Sequence, residues 1–347
     1  MRNLLNKDRK RTHQITIKDI ASELKISVAT VSRALRNAHD VSETTKKSVL
    51  AKASELKYRP NFNATGLVTH KSHNIAVILP TITNYYFSTV ITGIQEVAYK
   101  NGYNIILHVT GESPDREIEI ARGLPLSSID GLLVCVTSES HKSNHLEEII
   151  NKGLPLVFFD RAADLIDTSK VIQNDFEGAF MAVEHLIKNG YEKIAHIGGP
   201  TELSFTTERL RGYLTALKKY NLVVRYDWII HSGFTQLSGS ADTNKLWRCK
   251  NKPDAIFAVN DRKAIGSMLT LKEKNIKIGA EVGVVGFTND PMSAIISPSL
   301  TTVEEPALEI GKRSCELLLK HISKKSFPPE EVVLHGKLIV RASTSKK

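Results

Sequence analysis

From Asn74 onward the chain repeats one pattern, and that pattern limits the folds open to it. Short β-branched and aliphatic runs, "NIAVILP", "YNIILHVT", "DGLLVCVT", "LPLVFFD", "KIAHIGG", "AIFAVND" and "VGVVGFT", alternate with amphipathic stretches at 87–101, 176–189, 203–221 and 261–274. Runs that are apolar on both faces belong to parallel sheets covered by helices on each side, because a half-solvated strand would alternate polar and apolar residues. There are too many such runs for one compact sheet. The acidic turn at 171–175, "VIQND", is a crossing point between two α/β lobes.

The first fifth of the chain obeys a different period. Thr16 followed by Asp19 reads as a capping box, and Ile17, Ile20, Ala21 and Leu24 make one helical stripe. "KIS" interrupts it, Ser27 suits the N-cap of a second helix, and a third runs from after Ser42 through Val49, Leu50, Ala53 and Leu56 until Tyr58 and Pro60 close it. Two short helices around a tight turn, with a third completing the core, form a helix-turn-helix over residues 15–60.

Charge divides the chain at the same place. Of the formal net charge of +10, residues 1–73 supply +9, from 15 Lys and Arg against 6 Asp and Glu, and the rest is nearly neutral. A basic helical module joined to a neutral body points to a polyanion partner for the module alone. Residues 1–14 read equally as a basic N-terminal arm that touches DNA and as a solvated one. The module also has a face to spare. In "KISVATVSRAL" Val31 and Leu35 lie on one side of the helix, while Val28, Ala29, Ser32 and Arg33 share the other. An α-helix fits the major groove, where Val28 and Ala29 can meet thymine methyl groups and Arg33 can grip guanine through O6 and N7. Thr30, Ser32, Ser42 and Thr45 are short donors suited to phosphates.

Here a resemblance adds to the reading. "ITIKDIASELKISVATVSRALRN" followed by "VSETTKKSVLAKASELKYRPN" resembles the DNA-binding headpiece of the LacI/GalR family of bacterial transcription regulators. "FSTVITGIQEVAYKNGYNI", "DGLLV", "HLIKNGYEKIAHIGGP", "ERLRGYLTAL", "AIFAVNDRKAIGSM", "VGVVGF" and "PSLTTVEEPALEIGKRSCELLL" continue the likeness through the body. The resemblance implies an all-α helix-turn-helix headpiece, a hinge or linker at 61–73, and an α/β body at 74–344. That body has two periplasmic-binding-protein-like, Rossmann-like lobes: one of about 74–173 with 305–335, the other of about 174–304 with 336–344. Thr16, Ile17, Tyr58 and Asn61 join the implied DNA contacts. Leu67 takes the place of the leucine that wedges into the minor groove, with a simple buried linker anchor as its other reading. Gly66 and Asn63 depart from the family's hinge-helix pattern, since glycine inside a helix costs about 1 kcal/mol relative to alanine.

For the body the resemblance implies a small effector held between the lobes, with two-fold dimers on an inverted-repeat operator. Matching residues are Tyr86 and Phe87 after the first strand, Asp160 ending "LVFFD", Arg209 in "RLRGY", Phe234 after "IIHSG", and Asn260 with Asp261 ending "AIFAVND". Carboxylates, an amide and a guanidinium around an aromatic platform suit a polyhydroxylated ligand, which needs donors and acceptors together. Asp160 also reads as a turn cap, Arg209 as half of a helix ion pair, and Phe87 and Phe234 as core aromatics. "GFTND" departs from the family's "GFDD" and puts Thr288 and Asn289 in place of acids. On this reading Arg209→Ala leaves a protein that binds operator and ignores its effector.

Other classes fit less well. "HIGGPTE" lacks the remainder of a dinucleotide or Walker pattern, "GFTQLSGS" lacks the spacing of a nucleophile elbow, and His185, His196 and His231 are without ligand spacing. No catalytic group, metal or cofactor is expected. Cys135, Cys249 and Cys315 suggest neither a disulfide framework nor a zinc cluster. No apolar run approaches the roughly 18 residues that cross a bilayer, and "MRNLLNKDRKRTHQ" has no apolar core of an export signal. A cytoplasmic regulator is therefore favoured over a transporter's solute-binding protein, and the end at "RASTSKK", without an apolar heptad tail, favours a homodimer. Whether the effector releases DNA or tightens binding is open.

Overall fold

The structure, a computed structural model, describes residues 15–58, 71–137, 144–163, 165–324 and 328–346. It divides into two units, Met1–His70 and Lys71–Lys347. The basic arm at 1–14, Asn61, Leu67 and the expected hinge helix lie outside the described residues.

The first unit holds three helices, α1 (Ile17–Leu24), α2 (Val28–Leu35) and α3 (Glu43–Glu55). Each begins where its sequence supplies a cap. The backbone N–H and hydroxyl of Thr16 donate to Asp19 Oδ2 at 2.7 and 2.8 Å, Ser27 Oγ accepts from Thr30 N–H at 3.0 Å, and Ser42 Oγ accepts from Thr45 N–H at 3.3 Å. Such caps contribute about 1 kcal/mol each, a large share for so small a core. Lys25, at φ 52°, ends α1 in the left-handed region and turns the chain into α2. Ile20, Ala21, Val31, Ala34, Val41, Val49 and Ala53 pack between the three helices.

The second unit contains two sheets. The first runs in the order β11 (Glu331–Leu334), β5 (Lys170–Gln173), β4 (Leu156–Phe159), β3 (Gly131–Val134), β1 (Asn74–Leu79), β2 (Asn104–Val109), parallel throughout. The second runs β12 (Lys337–Ile339), β10 (Thr301–Glu304), β9 (Gly283–Thr288), β8 (Ala255–Ala258), β6 (Ile194–Gly198), β7 (Ile229–His231), with only β12 antiparallel. The helices follow in chain order. α4 (Tyr85–Lys100), α5 (Pro114–Gly123) and α6 (Asn144–Asn151) belong to the first lobe; α7 (Asp175–Lys188), α8 (Ser204–Lys219), α9 (Gln236–Arg248), α10 (Asp261–Glu273) and the short α11 (Met292–Ile295) belong to the second. α12 (Ala307–Ser323) returns to the first.

Alternation along β1 shows why the strands are apolar on both sides. Ile75, Val77 and Leu79 pack into the layer of α4 and α12, whereas Ala76 and Ile78 pack into that of α5 and α6. In β8, Phe257 faces α7 and α8 while Ile256 and Ala258 face α9 and α10. The chain passes between lobes three times: between Gln173 and Asp175, between Glu304 and Ala307, and between Leu334 and Lys337.

One close approach fixes the first lobe. A Cβ at Gly93 of α4 would lie 2.2 Å from the carbonyl oxygen of Leu308, and one at Gly311 of α12 would lie 2.1 Å from that of Val90, so the helices touch backbone to backbone. Gly93→Val should therefore cost about 2–3 kcal/mol by overpacking. Thermal unfolding should show the midpoint falling by about 5 °C, and an unchanged midpoint would show that the helices can separate freely.

Candidate functional site

The two units carry separate candidate surfaces. In the first, burial of Val31 and Ala34 turns the opposite face of α2 outward, leaving Val28 38% exposed with Ala29 and Arg33 also exposed and Ser32 half-buried. The face opposite the core is thus open to a partner. The hydroxyl groups near the helix starts already have partners. Ser27 and Thr30 bond to each other at 2.8 Å, as do Ser42 and Thr45, so each pair keeps a single hydroxyl hydrogen for a phosphate. The Thr16 hydroxyl hydrogen is committed to Asp19. Ile17 and Tyr58 are partly buried and pack against the core.

In the second unit the C-terminal ends of the strands of both lobes open on one cleft, a cavity of about 100 Å³. Asn84 caps α4 by accepting from Phe87 N–H at 2.8 Å, and so sets Tyr85, Tyr86 and Phe87 at its rim. The Tyr86 hydroxyl donates to Asp160 Oδ1 at 2.7 Å. Asp160 follows β4 in the left-handed region, at φ 61°. Beside it Arg161 holds Glu112 through Nη1, with both carboxylate oxygens at 3.0 Å. Its buried Nε has no hydrogen-bond partner and lies 3.6 Å from Asp160 Oδ2. The guanidinium also covers the ring of Phe205, 5.3 Å away on the other lobe, and Phe205 stacks on Phe234 at 5.6 Å and 25°. The walls of the cleft are thus aromatic, with an unsatisfied donor at their meeting point.

Beneath the rings lies a buried ion cluster. Arg209 of α8 donates from Nε to Asp175 at 2.7 Å, from Nη1 to the carbonyl of Val259 at 2.6 Å and from Nη2 to Glu305 at 2.6 Å. Burial pushes the Asp175 carboxyl up to about 7, against the pull of Arg209, and raises Glu305 in the same way. Asp261 is 1% exposed, accepts from the Thr302 hydroxyl at 2.5 Å and from Asp290 N–H at 2.8 Å, and is pushed by burial up to about 7. Asn260 accepts from Lys263 N–H to cap α10, while its amide nitrogen donates to the carbonyl of Phe234 at 3.2 Å.

Comparisons with known proteins agree with this architecture. Residues 16–61 match the profile "Bacterial regulatory proteins, lacI family", and residues 183–344 match "Periplasmic binding protein-like domain". The HTH-type transcriptional repressor PurR of Vibrio vulnificus is 31% identical over 333 residues, 95% of this chain and 99% of that one. This chain belongs to the lacI family of bacterial regulatory proteins. It is a DNA-binding transcription regulator with a periplasmic-binding-protein-like body. Among solved structures, an uncharacterized protein from Actinobacillus succinogenes is 31% identical, with a TM-score of 0.72 over 79% of this chain and 100% of that one. The Lac repressor dimer bound to operator and an anti-inducer shares the fold, with a TM-score of 0.83 at 24% identity over 95% of this chain and 99% of that one.

Within this lacI-family body the cleft is lined by Tyr86, Phe87, Asp160, Arg209, Phe234, Asn260, Asp261 and Thr288. Asn289 is turned away, which corrects its expected place. At φ 59° it leaves the strand in the left-handed region, its Oδ1 accepts from Arg341 Nη2 at 2.7 Å, and its Nδ2 donates to Glu304 at 2.9 Å. An amide can accept from one neighbour and donate to an acid on the other side, which a carboxylate in the same place cannot do. Asp290 lines the cleft in its stead. Sequence reading missed Glu112, Arg161, Phe205, Arg262 and Glu305. Arg161 was within reach of it, directly following a strand-end acid; Glu112 and Glu305 gave no signal apart from their position after strands. His196 is buried between the rings of Tyr213 and Phe257, where burial holds it down at about 3.

Two predictions follow from the buried charges. Arg209→Ala should not act as a selective loss of effector response, since it strands two carboxyls in the interior; a loss of about 3–5 kcal/mol is expected, measured by urea unfolding. For Asp261, the folded carboxyl holds its proton up to about 7 while an unfolded one releases it near 4. Its contribution is complete below about pH 4 and is lost as pH rises through 7. Asp261→Asn mimics the protonated form, so its stability relative to the parent should gain about 1–3 kcal/mol between pH 4.5 and 7.5. A difference that is constant with pH would count against the shift.

Proposed function

We propose that the protein is a repressor that binds an inverted-repeat operator as a homodimer in the cytoplasm and is controlled by an uncharged carbohydrate taken up between the two lobes of its body. The observation that carries the ligand class is the composition of the cleft. The stacked pair Phe205 and Phe234 offers the apolar face on which a sugar ring lies, and Arg161, Asn260 and Asp160 offer donors and acceptors around it. The lining includes Glu112, Asp160, Asp261, Asp290 and Glu305 against Arg161, Arg209 and Arg262. Each arginine is matched by at least one acid in the lining, which leaves no uncompensated cation to favour a phosphate or carboxylate ligand and makes hydroxyl groups the natural partners.

The homodimer has support in the first lobe. β2 is an edge strand, and Ile106, Leu107 and Tyr99 stand 40%, 38% and 78% exposed beside a shallow groove lined by Ile91, Ile105 and Leu107. Apolar surface along an open edge is suited to a two-fold partner of the same chain. Control then works by population shift. A ligand that binds one lobe orientation better than another changes the share of molecules competent for the operator, by no more than that difference in affinity.

The test is calorimetry on the purified protein with a panel of neutral mono- and disaccharides, the corresponding sugar phosphates, uronic acids and nucleobases. A neutral sugar should bind, shift operator affinity in a gel-retardation assay, and lose about tenfold in affinity on Phe234→Ala. Tight binding by a phosphorylated sugar or a nucleobase, with no neutral sugar bound, would overturn the ligand class. Sedimentation showing a monomer would overturn the dimer.

A further inference from the structure

The first unit uses its acids sparingly. Asp19 caps α1, while Glu43 and Glu55 pair with Lys46 and Lys52 on their own helix. Asp40 is employed otherwise: its Oδ2 accepts from Arg33 Nη1 at 2.9 Å, across the turn that joins α2 to α3. A module built to meet a polyanion thus places a negative charge beside the cation on its exposed helix face. Such a charge repels phosphates within a Debye length of roughly 10 Å, so it weakens general attraction to DNA.

Folding does not account for the pair. The two side chains are 47% and 43% exposed, and exposed ion pairs contribute little to stability. Both ends are nevertheless rooted. Arg33 stands between buried Val31 and Ala34, and its carbonyl accepts from Ala38 N–H at 3.0 Å. Asn37, at φ 54°, turns the chain; Val41, directly after Asp40, is buried in the core, and Ser42 then caps α3. The turn therefore delivers the carboxylate to the guanidinium. The Nε and Nη2 edge of Arg33 has no partner among the described residues.

We infer that Asp40 is a positioning and specificity-determining residue for DNA recognition, which holds Arg33 by Nη1 so that the Nε and Nη2 edge is presented as a fork to guanine O6 and N7. Its charge also makes a phosphate a poorer alternative partner for that arginine. A guanine edge returns two acceptors in the plane of the fork, whereas a phosphate brings its own negative charge next to the carboxylate. Discrimination thus arises from a repulsive element as well as an attractive one. The inference rests on the reading of Arg33 as a base contact, and the experiment separates the two.

Full-length parent, Asp40→Ala, Asp40→Asn and Arg33→Ala proteins would each select from a library of duplexes with a randomised central segment. Affinities would then be measured for the parent's selected duplex and a scrambled one of the same length, over a range of salt. Asp40→Ala should keep the parent's thermal midpoint, lose about fivefold to tenfold of the guanine preference at one position in each half-site, and bind the scrambled duplex about twofold to fivefold more tightly. Asp40→Asn, which keeps an acceptor without the charge, should retain more of the preference and share the gain in non-specific binding. If Asp40→Ala selects the parent motif with undiminished guanine preference while Arg33→Ala changes it, the role of Asp40 is refuted and Arg33 remains a reader. A uniform rise in affinity on all duplexes, with no change of motif, refutes the positioning role as well. If Arg33→Ala also selects the parent motif, the reading of the helix itself is wrong.

Discussion

The body is organised around a charge almost withdrawn from water. Arg209 is 4% exposed, and a guanidinium in that position is tolerable only while carboxylates hold it. Its two acids are not arbitrary. Asp175 begins the second lobe just after the chain first passes between sheets, and Glu305 sits in the second passage, between β10 and α12. This buried ion cluster therefore joins two connections between the lobes to a helix of one of them. A ligand in the cleft lies directly over that cluster, since Arg209 and Glu305 both line it. Some of the groups that join the two passages between the lobes are therefore also part of the cleft lining.

Much of the architecture was legible because it follows from periodicity. Both faces of β1 are covered, so its residues are apolar without alternation, and the run "NIAVILP" announced a parallel strand. Caps were legible too, because Thr16, Ser27 and Ser42 are short polar residues just before apolar stripes. The same local bonding that made those caps visible was then overlooked when nearby hydroxyls were assigned to phosphates. A serine that accepts from an amide and shares its proton with a threonine has one hydrogen to offer for two residues.

The cleft was legible in part and for a different reason. Residues at strand ends could be named, but sequence gives no distance between strands. Glu112 and Arg161 are separated by two α/β units and meet at 3.0 Å, and Phe205 reaches Arg161 from the other lobe. Asn289 lies outside the lining because two successive positive-φ residues, Thr288 and Asn289 itself, redirect the chain as it leaves the strand, and a period of two cannot foresee that. Asn260 gave the right neighbourhood with an added duty, for its amide caps α10 and steadies the loop that carries Phe234.

The contact between Gly93 and Gly311 has a mechanical consequence. At that crossing no side chain is interposed, so α4 and α12 have little room to shift against each other there. α4 bears Tyr86 and Phe87, and α12 begins two residues after Glu305. The tight crossing therefore ties the helix that carries the aromatic rim to the one that leaves the second passage between the sheets.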